Sequence, residues 1–363
     1  MKEFFLIALP FLTALTVSLF TTGLWIKASI TWHLFDKPDS RKHHLLATPN
    51  MGGIGIFSAL VISFLLFCGF HAFTQIHAVI AAACILFFTG FFDDLLNLAP
   101  FKKFIMQVVA AFIVCYHGVV ISNLHGFLGI YQLPEAYAVA FTMIVIVFFV
   151  NAFNFIDGID GLAGSLGAVA SVIFGAVAFR SGQGDLALLS FCLTGALLGF
   201  LYFNKHPARI FMGDTGSLTV GFLLIIQGIM LININPVVNE FNESATMAFV
   251  FSVLFIPSYD LIRVVVIRII SGDSPLKPDR NHLHHMIGRE HWGHNGICFI
   301  LLVYNLSLIL FQENFRFIHI QYFIIISFLM TMLILNSYFI KRLTWLRDKI
   351  TGRNSAWESI TEI

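Results

Sequence analysis

Long apolar runs divided by short polar gaps organise this chain from end to end. A helix needs roughly 20 apolar residues to cross the hydrocarbon core of a bilayer. By that criterion the pattern predicts about eleven spans. They lie near 4–26, 51–70, 76–92, 104–122, 136–153, 162–180, 185–203, 218–234, 246–267, 297–312 and 319–340. No long repeat, low-complexity tract or linker marks a second unit, so residues 1–363 read as one transmembrane catalytic domain. The fold class this predicts is an all-α polytopic integral membrane protein.

Composition agrees with the pattern. Hydrophobic residues make up 58% of the chain and charged residues 11%, with a mean hydropathy of +0.86. A soluble domain usually carries about 25% charged residues, enough to cover its surface. The net charge of +1 argues for neither nucleic acid nor an acidic partner. Cys68, Cys84, Cys115, Cys192 and Cys298 stand singly in apolar stretches. That spacing argues against disulfides and zinc–thiolate sites and makes them small core residues. The start, Met1-Lys2-Glu3 and then an apolar run, lacks a small-residue cleavage site and reads as the first span.

Charge placement orients the spans. The odd-numbered gaps and the C-terminal tail hold 18 of the 21 Lys and Arg residues, leaving Lys2, Arg180 and Arg316 on the other side. Under the positive-inside rule this puts the N-terminus outside and the C-terminus in the cytoplasm.

The same odd gaps, near 27–50, 93–103, 151–161, 204–217 and 268–296, carry polar residues that mere connectors do not need. The first holds Asp36, Asp39, Arg41, Lys42, His43 and His44, then Thr48-Pro49-Asn50-Met51-Gly52-Gly53. The second begins at Asp93-Asp94, the end of span three, and Lys102 and Lys103 open span four. Adjacent carboxylates repel each other, and a helix C-terminus is a poor place for an acid, so a compensating cation is expected. Lys103 and Gln107, spaced i, i+4, would share a face and could anchor a phosphate. The third gap runs Asn151-Ala152-Phe153-Asn154-Phe155-Ile156-Asp157-Gly158-Ile159-Asp160-Gly161, a nest of oxygen ligands with glycine turns. It lacks the terminal Glu of an EF-hand.

The fourth gap contains Gly213-Asp214-Thr215-Gly216-Ser217. Aspartic proteases share the Asp-Thr-Gly-Ser tetrapeptide, but they need two carboxylates brought together, and here it occurs once between helices. Asp214 near a helix N-terminus suits a metal–diphosphate site better. The fifth gap carries Lys277, Asp279, Arg280, His282, His284, His285 and Arg289, whose spacing does not match the common zinc motifs. Asp260 and Arg263, inside span nine, are spaced to neutralise one another. The inventory is hard oxygen ligands without thiolate, which selects Mg²⁺ or Mn²⁺ and points to metal-dependent phosphoryl transfer. A secondary transporter is the rival reading, but it would place its ionisable groups near the midplane between matching halves.

At these five loops the chain resembles the polyprenyl-phosphate N-acetylhexosamine-1-phosphate transferase family, through TPNMGG, FFDD, NAFNFIDGIDGL, FMGDTGS and DRNHLHH. Eleven spans and the HLHH-type loop are closer to the WecA/TagO branch than to the ten-span MraY branch. The resemblance implies transfer of GlcNAc-1-phosphate from UDP-GlcNAc to undecaprenyl phosphate, giving undecaprenyl-diphospho-GlcNAc and UMP. It also implies a multi-pass protein of the bacterial inner membrane, with its site facing the cytoplasm. The product would begin a surface polysaccharide such as lipopolysaccharide O-antigen, common antigen or teichoic acid, and another UDP-HexNAc is an alternative donor. Homodimers are compatible with the family.

Carried over by position, Asp214 would hold Mg²⁺ (or Mn²⁺) with Asn154 as a second ligand. Asp160 would lie by the uracil and Asp157 would support that loop. Lys103 would steady the lipid phosphate, and Asp93 would position or deprotonate it with Asp94 beside it. Arg280, His282, His284 and His285 would contact the sugar–diphosphate end.

Overall fold

The computed structural model describes residues 2–32, 48–69, 74–234, 243–272, 282–283 and 293–335. Helices occupy all eleven of the expected positions. They are α1 (Lys2–Trp32), α2 (Gly52–Phe67), α3 (Thr74–Leu96), α4 (Pro100–Tyr116), α5 (Glu135–Ile156), α6 (Leu162–Arg180) and α7 (Gly184–Asn204). After them come α8 (Gly213–Ile232), α9 (Glu243–Val253), α10 (Phe255–Ile270), α11 (His294–Asn314) and α12 (Ile320–Leu335). Seven are long and apolar enough to cross a membrane by themselves. The protein is therefore an all-α, multi-pass membrane protein.

Three departures from the expected pattern have local causes. The ninth span is not one helix: α9 and α10 meet at a 75° bend. Pro257 lies in the first turn of α10, where a missing N–H is tolerated, but it cannot sit inside a continuous helix without kinking it. The loop after α4 folds into an antiparallel hairpin, β1 (Asn123–Phe127) and β2 (Ile130–Gln132). Its two turn residues, Leu128 and Gly129, have φ of +53° and +80°, the backbone that a two-residue hairpin turn requires. Finally, α1 and α8 extend beyond the apolar runs, to Trp32 and back to Gly213.

The polarity of the packing is that of a protein in lipid. Phe20, Leu65, Phe101, Phe112, Ile144 and Leu329 are exposed, which hydrocarbon tolerates and water would penalise. The centre of the bundle is α8, packed against α2, α3, α5 and α6. Close approach there depends on glycine. A Cβ on Gly53 would come within 2.1 Å of the Gly216 amide nitrogen, and one on Gly90 within 2.3 Å of the Asp214 carbonyl oxygen. The starts of α2 and α8 and the end of α3 thus meet backbone to backbone.

Candidate active site

Backbone pairing locks the first and fourth polar gaps together. Phe211 N donates to Pro49 O (2.8 Å), Gly52 N to Phe211 O (2.9 Å) and Gly53 N to Met212 O (2.9 Å). The chain then turns at Gly213, whose φ is +71°, a conformation that suits glycine. A Cβ there would fall 2.0 Å from Asn50 O. This turn delivers Asp214 onto the first turn of α8.

The expected pair at the end of α3 divides its labour. Asp94 directs both carboxylate oxygens at the start of α8. Oδ1 accepts from Asp214 N (2.9 Å), and Oδ2 accepts from Thr215 N (2.9 Å) and Thr215 Oγ1 (2.6 Å). It is a helix cap supplied by another helix, satisfying amide donors that α8 itself leaves open. The catalytic role expected of Asp94 therefore becomes one of positioning, because its carboxylate is spent on that cap. Asp93 points elsewhere. Its Oδ1 accepts from Leu98 N (2.8 Å), and its Oδ2 meets Lys103 Nζ at 3.0 Å.

Lys103 joins the two acidic gaps, since its Nζ also lies 2.8 Å from Asp214 Oδ2. This is the cation that two acids beside a helix C-terminus demanded. Asn154 Nδ2 donates to Asp214 Oδ1 (3.0 Å) and to Ser217 Oγ (2.7 Å). Asp93, Lys103, Asn154, Asp214 and Ser217 thus form one connected network from α3, α4, α5 and α8. Gln107 does not reach into it. Its amide exchanges hydrogen bonds with Asn151 (2.7 and 3.3 Å), tying α4 to α5, so the phosphate contact expected of it gives way to a packing role.

The loop after α5 carries the remaining acids. Burial, then the charges of Asp214 and Asp94, push the Asp157 carboxyl well above the usual range, against a hydrogen bond from the Gly213 amide. Asp160 behaves oppositely. Burial opposes its charge, but hydrogen bonds from His294 and His206 hold its pKa at about 2. Its Oδ2 lies 2.7 Å from His206 Nδ1 and 3.3 Å from His294 Nδ1, and it accepts from Ala208 N at 3.2 Å. Asn204 latches this loop to the next: its Oδ1 accepts from Gly161 N and its Nδ2 donates to Ile210 O, both at 2.9 Å.

His282 is buried, with Nδ1 2.8 Å from Asp260 Oδ2 and its ring stacked on Phe155. Asp260 Oδ1 also accepts from Arg263 Nη2 (3.2 Å) and Leu283 N (2.7 Å). The expected Asp260–Arg263 pair is present and doubles as the mooring of the His282 segment. Arg280, His284 and His285 lie outside the described residues.

All five polar gaps therefore contribute to one end of the bundle. The hairpin belongs to the other end, where Gln321 Oε1 accepts from Leu128 N and Asn233 Nδ2 donates to Val120 O. His206, His294, Asn204 and Ser217 are site residues that the linear sequence did not mark. A lone His in a basic gap, or an Asn at a helix end, carries no pattern until its partners arrive from distant segments. Only Ser217, inside the Asp-Thr-Gly-Ser run, had a local signal.

The donor set at Asp214 is carboxylate, amide and hydroxyl oxygen with no thiolate, which fits a hard divalent cation. Residues 76–232 match the family profile described as glycosyl transferase family 4. The chain is 34% identical over 322 residues to a decaprenyl-phosphate N-acetylglucosaminephosphotransferase of Mycolicibacterium smegmatis, covering 82% of this chain and 79% of the relative. It is 29% identical to a probable undecaprenyl-phosphate N-acetylglucosaminyl 1-phosphate transferase of Bacillus subtilis, with 77% of each chain covered. An undecaprenyl-phosphate α-N-acetylglucosaminyl 1-phosphate transferase of Yersinia pestis is 28% identical, with 72% of each covered.

Proposed function

The chain belongs to glycosyl transferase family 4, and from that premise we propose that it transfers GlcNAc-1-phosphate from UDP-GlcNAc to undecaprenyl phosphate. The observation that carries this reading is the bridge from Asp93 through Lys103 to Asp214, completed by Asn154. It gathers a cation, two carboxylates and an amide at the one end where the polar gaps meet. The relatives' names support the donor sugar and the polyprenyl acceptor.

In this reading a lipid phosphate oxygen attacks the β-phosphorus of the donor. The bond from that phosphorus to the bridging oxygen breaks, and UMP leaves with the electron pair. Mg²⁺ or Mn²⁺, held by Asp214 and Asn154, would supply neutralisation of the diphosphate charge. Lys103 takes the incoming lipid phosphate, its ammonium already poised between the two gaps. Asp93 holds Lys103 in place and borders the acceptor phosphate. That phosphate's second pKa of about 6 leaves little need for a strong base. Catalysis then rests on positioning and charge neutralisation by direct displacement, without a phospho-enzyme. Asp157, beside Asp214, supports the donor side, and His282 fixes the segment that carries Arg280, His284 and His285 toward the sugar diphosphate.

The distribution of Lys and Arg supports a cytoplasmic site in the inner membrane. The test is formation of lipid-linked GlcNAc and UMP by the full chain in vesicles containing undecaprenyl phosphate. Product is expected with Mg²⁺ or Mn²⁺, and none with either metal would defeat the reading. UMP–UDP-GlcNAc exchange without lipid is expected to be absent; rapid exchange would replace direct displacement by a phospho-enzyme.

A further inference from the structure

A second cluster of ligand-type side chains lies beside the network that the proposed reaction uses. Asp160 comes from the loop after α5, His206 from the loop after α7 and His294 from the first turn of α11. One oxygen of Asp160 and one ring nitrogen of each His lie within 4.8 Å of one another. We propose that Asp160, His206 and His294 form a site for a transition-metal cation of the Zn²⁺ class, separate from the oxygen-rich site at Asp214.

The geometry and the donor chemistry agree. A tetrahedral ion with bonds of 2.0–2.1 Å spaces its ligand atoms about 3.3 Å apart. The two imidazole nitrogens already stand 2.7 and 3.3 Å from Asp160 Oδ2, so small ring rotations admit the ion. The rings are 4.6 Å apart, centroid to centroid, inclined at 44°. Both therefore present the same nitrogen to the carboxylate from neighbouring directions.

Two imidazoles and a carboxylate favour Zn²⁺, Co²⁺ or Ni²⁺ over Mg²⁺, which prefers oxygen alone. The carboxylate is buried and oriented by the Ala208 amide, the outer-shell support that metal ligands typically have. The rim is open, because the His206 side chain is 44% exposed and His294 24%, which gives the ion a way in. Cys298 stands one helical turn from His294, and its thiol lies 3.3 Å from the Asp160 carbonyl oxygen. Binding replaces the imidazole contacts to Oδ2 by bonds to the metal, and a proton on either Nδ1 moves to Nε2 or is released.

The test uses the purified full-length chain, stripped by a chelator and kept in millimolar Mg²⁺ so that hard-cation sites are filled. Isothermal titration with Zn²⁺ is expected to show one saturable site per chain, and Co²⁺ to give the visible absorption of a nitrogen–oxygen site. The double variant His206→Ala/His294→Ala should bind Zn²⁺ at least roughly 100-fold more weakly. His206→Gln alters only the exposed rim and guards against misfolding; a melting temperature equal to the parent's, with the same loss of affinity, supports the site. Asp214→Asn should bind Zn²⁺ like the parent. Absence of saturable Zn²⁺ binding in the parent, or undiminished binding in both His variants, overturns the proposal.

Discussion

Lys103 stands between two carboxylates, so removing its charge leaves Asp93 and Asp214 facing one another without a cation. Lys103→Met should therefore lower the rate of UMP release by roughly 10³-fold, the upper range for losing one preorganised charge partner. Asp214→Asn should do at least as much, and near-normal turnover in either variant would remove that residue from the reaction. Asp160 gives a pH prediction of defined sign. Its folded pKa of about 2 is depressed relative to an unfolded value of about 3.9. The stabilisation, on the order of 2 kcal/mol, is complete above about pH 4 and is lost as pH falls through about 2. Melting temperatures of the parent and Asp160→Asn, measured from pH 5 downward, should converge near pH 2; a constant gap would show that the carboxylate's charge contributes nothing.

At the level of elements, the approach of α2, α3 and α8 is set by what glycine leaves out. Gly53→Ala would drive a methyl group into the Gly216 backbone. Overpacking of that kind costs about 1–3 kcal/mol, and separating α2 from α8 also displaces Asp214. Gly184→Ala meets nothing within 4 Å and serves as the matched control. Thermal melting of the two variants should show a marked drop for the first and little change for the second. Asp94→Ala tests the cap between α3 and α8. Loss of the hydrogen bonds to Asp214 N, Thr215 N and Thr215 Oγ1 should cost about 1–2 kcal/mol, together with activity. Asp93→Asn, by contrast, should lose activity while keeping the parent's melting temperature.

For the whole molecule the prediction concerns sidedness. The end carrying the acidic network and the end carrying the hairpin lie on opposite sides of the bundle. Leu96 and Tyr131 are both exposed, one at each end. In a chain whose five native cysteines are replaced by alanine, Tyr131→Cys should react with a membrane-impermeant maleimide on intact cells. Leu96→Cys should react only after the membrane is opened. The reverse labelling would invert the orientation drawn from the basic residues.

The linear chain by itself determined the features that solvent and period dictate. Apolar runs long enough for hydrocarbon must be helices, since every backbone polar group has to be satisfied within the segment. The asymmetry of Lys and Arg sorted the gaps into two sets, and the acids of FFDD, NAFNFIDGIDGL and FMGDTGS marked one set as chemical. The tertiary structure decided how each residue of those motifs is used. Asp93 and Asp94 are neighbours in sequence, yet one meets Lys103 and the other caps α8, because consecutive residues on a helix point in different directions. The bend at Leu254 and the hairpin at 123–132 arise from local backbone geometry that hydropathy does not encode. Asp160, His206 and His294 are far apart in the chain and share no spacing rule. Their meeting depends on three segments converging at one end of the bundle, and only packed helices specify that.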